Sequence, residues 1–179
     1  LTYLNGGENA SVYGVEIEAR KNILKSHDDT YEEYTLDAGL NTSFLYSRVS
    51  LDETSVAQFT NSSSELEGAT PFLINADISF NKKYENSEFT SSMVFNYYGQ
   101  RVYSIGTRGF ENILEKGIPT VDIVSSFKLG KHYNFKFKAQ NLFNPSFQLN
   151  RNEANGGENV ILGDYKKGIN LSLGITYNF

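Results

Sequence analysis

The sequence predicts an all-β chain, an antiparallel up-and-down segment of a transmembrane β-barrel with about seven strands. Three observations predict it. Apolar and polar residues alternate in stretch after stretch, most completely near the end of the chain, where Ile169, Leu171, Leu173, Ile175, Tyr177 and Phe179 oppose Asn170, Ser172, Gly174, Thr176 and Asn178. The connections between such stretches alternate short and long, so a meander sends every long loop to one side. Aromatic residues gather toward the ends of the stretches with aliphatic ones between them, which sets two girdles around an apolar band.

In chain order, Leu1 to Asn9 reads as loop, with a turn at Asn5-Gly6-Gly7. From Ala10 to Asn22, Tyr13, Val15, Ile17 and Ala19 face one way and Gly14, Glu16, Glu18 and Arg20 the other. A polar turn from Lys25 to Thr30 leads to the clearest dyad, Glu33 to Val49, with Tyr34, Leu36, Ala38, Leu40, Thr42, Phe44 and Tyr46 on one face. Ser50 to Thr70 is polar and without periodicity. Pro71 is tolerated as the first residue of a third strand, where Phe72, Ile74, Ala76, Ile78 and Phe80 oppose Asn75, Asp77, Ser79 and Asn81. After a turn at Lys82 to Ser87, a fourth strand runs from Glu88 to Tyr98. A long loop, Gly99 to Ile118, precedes a fifth strand, Pro119 to Leu129, and the tight turn Gly130-Lys131-His132 leads into a sixth. There Tyr133, Phe135, Phe137 and Ala139 oppose Asn134, Lys136, Lys138 and Gln140. The last long loop, Pro145 to Lys167, delivers the closing strand, about as long as the 9–11 residues a tilted strand needs to cross a bilayer.

Composition agrees with strands and turns: 12 Tyr, 13 Phe and 15 Gly, with no Cys or Trp. The absence of cysteine removes disulfide and thiolate–metal chemistry. A net charge of −5 offers nucleic acid no concentrated basic surface, so none is expected as a partner. No run of 18 apolar residues is present to make a transmembrane helix, and a barrel needs none. A soluble sandwich or lipocalin-like barrel carries the same alternation with its apolar face turned inward. The girdles and one-sided loops favour the membrane arrangement.

Several pieces resemble the carboxy-terminal part of a TonB-dependent outer-membrane receptor: Ala10 to Arg20 with its Tyr-Gly-Val-Glu, Pro71 to Asn75, Asn96 to Arg101, Asn141-Leu142-Phe143-Asn144, and the ending Tyr177-Asn178-Phe179. The resemblance implies a barrel of about 22 strands with an amino-terminal plug, of which this chain supplies the last third. It implies active uptake, across the bacterial outer membrane, of a scarce ligand such as a siderophore, cobalamin, glycan or peptide. The implied partners are outer-membrane lipid, a plug and further strands upstream of Leu1, TonB through that missing part, the barrel-assembly machinery, and in some relatives a surface lipoprotein. Tyr177 and Phe179 would serve as the terminal assembly signal. The carboxy terminus would be periplasmic and the loops Ser50–Thr70, Gly99–Ile118 and Pro145–Lys167 extracellular. An odd number of strands leaves two unpaired edges, and the chain starts without initiator Met or signal segment, so a larger polypeptide is expected.

Candidate chemistry is sparse, and no enzyme activity or cofactor is expected. Glu16 and Glu18 share a face about 7 Å apart, a spacing seen in paired glycosidase carboxylates, but Arg20 beside them and the polar face make solvated lumen charges the better reading. Lys128, Lys136 and Lys138 share that face and suit an anionic ligand or a wet lumen wall against the plug. His27, with Asp28 and Asp29, and His132 lie in turns without a ligand set or nucleophile, so neither a metal nor a catalytic role is assigned. Asn5-Gly6-Gly7-Glu8-Asn9 recurs as Asn155-Gly156-Gly157-Glu158-Asn159 and reads as similar loop tips rather than a calcium site. Tyr98, Arg101, Tyr103, Arg108 and Phe110 have the aromatic-plus-arginine character of a ligand or partner contact. The alternatives are an outer-membrane structural or assembly barrel, an outer-membrane enzyme, and a soluble β-sandwich.

Overall fold

The structure, a computed structural model, describes residues 7–27, 33–51, 58–152 and 159–179. All regular structure among them is β. In chain order the strands are β1 (Gly7–His27), β2 (Glu33–Leu51), β3 (Ser63–Ser64), β4 (Phe72–Tyr84), β5 (Ser87–Tyr98), β6 (Arg101–Ser104), β7 (Ile113–Glu115), β8 (Ile118–Leu129), β9 (Tyr133–Gln140), β10 (Ser146–Asn152), β11 (Asn159–Lys166) and β12 (Asn170–Tyr177).

The long strands form one antiparallel sheet in the order β1-β2-β4-β5-β8-β9-β12, with β3 attached to β2. Its pairing carries the sequence alternation across the whole width. Tyr13 and Val15 lie opposite Tyr46 and Phe44, which continue through Phe72, Ile74, Ile78, Met93, Ile123 and Ala139 to Leu171. The other face carries Glu16, Glu18, Asn41, Asn75, Asp77, Asn96, Thr120, Lys136 and Lys138. Val94 and Val124 also lie there, opposite Asp122 and Ser92, so that face is polar but not uniformly so. A register shift between Asn22 and Leu24 turns Leu24 back to the apolar side opposite Leu36, which explains why the alternation stops at Asn22 although β1 runs on to His27.

The apolar face is not covered. Phe44 is 52% exposed and Leu173 85% exposed, and none of the described large side chains is fully buried. The chain exposes 12328 Å², against roughly 8,700 Å² for a compact monomer of its mass. Two aromatic rows border this face. Tyr13 stacks on Tyr46 at 4.7 Å and Phe44 meets Phe72 at 4.8 Å toward the long-loop end. Toward the other end Tyr34 lies 6.5 Å from Phe80, Phe80 lies 6.4 Å from Phe89, and Tyr133 packs on Tyr177 at 5.1 Å. Phe95 and Phe137 fall between the rows, so the band is not purely aliphatic. Among the described residues β1 and β12 are each paired along one edge only.

The antiparallel order sends the long connections to one end of the sheet. There the structure differs from the sequence reading, because these connections are not structureless. Strands β6, β7, β10 and β11 form a second, four-stranded sheet in the order β11-β10-β7-β6. The 58–70 segment is tied to it through Thr60 N–H to the Gly106 carbonyl, Gly68 N–H to the Val102 carbonyl and a bridge between Phe59 and Thr107. Five of the buried apolar side chains, Val49, Leu51, Val102, Ile118 and Phe147, lie at this end, so the small core sits beneath the loop sheet. At the other end the β4–β5 turn is shorter than expected, with Glu85 and Asn86 alone joining the strands, while β8 and β9 are joined by Gly130, Lys131 and His132 as expected. The repeated Asn-Gly-Gly-Glu-Asn tips fall largely outside the described residues, as do Asp28, Asp29 and the His27 side chain.

Candidate functional site

Where the loop sheet meets the polar face of the large sheet there is a cavity of about 540 Å³. Its centre is Arg101, the first residue of β6, whose guanidinium lies 5.3 Å from the Tyr98 ring and donates to the Glu115 carboxylate at 2.7 Å. β7 places Glu115 directly opposite Arg101, so backbone pairing sets the ion pair. With side-chain exposures of 34% and 14%, the pair is partly withdrawn from water, where charge-assisted hydrogen bonds are stronger than at an open surface. On the far wall Lys167 stands 4.0 Å from the Phe147 ring.

The floor of this cavity explains the Asn-Leu-Phe-Asn stretch. Asn141 and Asn144 have φ of 58° and 43°, left-handed values that asparagine tolerates better than most residues. Both reach Gly168, whose own φ is 82°: Asn141 Nδ2 donates to its carbonyl at 2.7 Å and its N–H donates to Asn144 Oδ1 at 3.0 Å. Asn141 N–H donates to Asp122 Oδ1 at 2.7 Å, and Leu142 N–H to the Val121 carbonyl at 2.9 Å. The stretch is therefore a clip that fixes where the chain leaves β9 and where it re-enters at β12. Asn141 Oδ1 is buried at the cavity wall without a partner.

The five residues of the aromatic-plus-arginine group are not brought to one place. Tyr98 and Arg101 share the cavity described above. Phe110 is 60% exposed and lines a different cavity, between the 105–112 segment and β10–β11, where the Arg151 guanidinium lies 5.1 Å from its ring. Tyr103 is 56% exposed on β6 and lines neither cavity; Arg108 is exposed in a turn at φ 55°, its N–H bonded to the Gln58 carbonyl.

On the polar face, Glu18 pairs with Arg20 at 2.9 Å, and Glu16 accepts from Asn41 at 2.6 Å. The two glutamates are therefore engaged with different partners. A Cβ on Gly39 would collide with the Asp77 carboxylate, so only glycine lets Asp77 lie across β2 near Arg20. Lys128 pairs with Glu88 at 2.8 Å, whereas Lys136 and Lys138, opposite Gly174 and Ser172, have no ion-pair partner among the described residues. His132 Nδ1 lies 2.8 Å from the Asn178 carbonyl and its ring stacks on Tyr177, so it fastens the end of β12. Tyr177 packs edge-on against Phe179 at 5.1 Å. Among the described residues no cluster of three or more His, Asp and Glu is placed to hold a metal.

Alternation does not single out Glu115, Asp122, Lys167 or Arg151, because each gains its surroundings from a distant strand. The Phe147, Leu149, Arg151 dyad is the one local signal that marks β10 as a strand. The chain matches no family model, no curated protein and no solved structure.

Proposed function

We propose that this chain is a wall segment of an outer-membrane β-barrel that takes up a scarce ligand in a TonB-dependent way. The observation that carries the reading is the exposed, mainly apolar face that runs across seven paired strands, interrupted by the Ser91–Ser125 pair and backed by a polar face. In water such a face would be far larger than a monomeric protein tolerates; against hydrocarbon it needs no cover. The unpaired edges of β1 and β12 then require further strands, because an unsatisfied backbone group in lipid costs several kcal/mol. In this arrangement the loop sheet crowns the extracellular end, the polar face borders the lumen, and the short turns face the periplasm. A ligand would meet the Tyr98–Arg101–Glu115 cavity on its way to the interior. TonB and a plug would act through parts of the polypeptide other than these strands, and the barrel-assembly machinery would read the Tyr177–Phe179 end.

These 179 residues hold no cysteine, so with any cysteine elsewhere in the polypeptide replaced by serine a single introduced thiol carries the label. In the protein as encoded, folded into vesicles, fluorophores on Leu173→Cys and Ser172→Cys are compared with spin-labelled lipid present. Strong quenching at 173 and little at 172 is expected; equal quenching at both sends the membrane reading away. Photo-cross-linking of the encoded protein to TonB in cells tests the energy-coupling half separately.

A further inference from the structure

A second cavity lies between the 105–112 segment and β10–β11. It encloses about 390 Å³, within the range of small-molecule sites, and its walls are mainly apolar: the exposed Phe110 ring with Val160 and Leu162 of β11. One cation converges on it. Arg151 is held on β10 between Ile113 and Val160, its guanidinium lies over Phe110, and its Nε is buried with no hydrogen-bond partner. Among the described residues that guanidinium has no ion pair either, whereas Arg20 and Arg101 each have a carboxylate at 2.9 Å or less. A buried, unsatisfied donor on a charged group is costly, and an arginine fork that meets no carboxylate among the described residues is suited to one brought from outside. Glu111 stands on the same wall, with one carboxylate oxygen accepting from Asn61 at 3.0 Å. Its charge opposes a second negative charge in the cavity.

We infer that the Phe110–Arg151 cavity is a binding site for a small, singly charged carboxylate with an aromatic or aliphatic body, the chemistry of an N-acylated hydrophobic amino acid or a peptide carboxy terminus. The carboxylate takes the Arg151 fork, and the body lies against Phe110, Val160 and Leu162. Glu111 disfavours dianions such as phosphate monoesters. The site lies between the 105–112 segment and β10–β11 and requires neither lipid nor TonB.

The probe is N-acetylphenylalanine, titrated calorimetrically against the encoded protein in detergent, with N-acetylphenylalanine amide as the uncharged control and phenyl phosphate as the dianion. The acid is expected to bind at least tenfold more tightly than either. Arg151→Gln should remove that preference while leaving the strand circular-dichroism signal intact, and Arg151→Lys should restore part of it. Phe110→Ala should weaken the acid and the amide alike. Absence of binding, equal affinity for acid and amide, or an Arg151→Gln variant that binds the acid undiminished overturns the assignment. None of these readings depends on transport, so failure of the uptake proposal leaves the result interpretable.

Discussion

Leu173 offers the sharpest single perturbation. It sits in the middle of β12, 85% exposed, opposite Phe137 on the apolar face, while its neighbour Ser172 lies opposite Lys138 on the polar one. If the apolar face meets hydrocarbon, Leu173→Arg carries a charge toward the bilayer midplane and costs about 2–4 kcal/mol. At about 1.4 kcal/mol per tenfold, the folded-to-unfolded ratio falls roughly 30- to 700-fold. Ser172→Arg adds the same side chain on a wet surface; its repulsion with Lys138 across the strand pair costs at most about 1 kcal/mol. In water, by contrast, so exposed a leucine would accept arginine within about 0.5 kcal/mol. The assay is urea titration of the encoded protein in phosphatidylcholine vesicles, with the folded fraction read from the mobility of unheated samples on gels. A Leu173→Arg midpoint as high as that of Ser172→Arg would refute the reasoning, because contact with lipid is the one effect that penalises Leu173→Arg more than Ser172→Arg.

Three further outcomes follow from the geometry. Asn141→Ala removes the bond to the Gly168 carbonyl and leaves a left-handed backbone without the residue that tolerates it, so it should cost about 1–3 kcal/mol, seen as faster proteolysis within 145–167. Gly14→Val drives a side chain against the Phe44 backbone carbonyl, which cannot swing aside, and should cost about 1–3 kcal/mol, measured as a lowered denaturation midpoint. Arg101→Met strands Glu115, which is only 14% exposed, and should speed amide exchange in β6 and β7 while β9 and β12 keep their protection.

The sequence by itself determined, to within a few residues at the ends, where the long strands lie and, away from the register shift after Asn22, which way their side chains point. Alternation with period two is a local property of extended backbone, so Tyr133 to Gln140 could be read as a strand from its own residues, and the structure places β9 on that span. It determined the one-sided loops as well, because antiparallel order and connection length together leave no other arrangement. What only the tertiary structure decided is everything that joins residues far apart in the chain. β6 and β7 are too short to show a period and exist because β10 pairs with β7 and the 58–70 segment binds across them. The Arg101–Glu115 pair, the hold of Asn141 on Gly168 and the placement of Arg151 over Phe110 are set the same way. A short strand gains its stability from the partner it finds rather than from its own pattern, so the large sheet was legible in the sequence and the loop sheet, with the cavities beside it, was not.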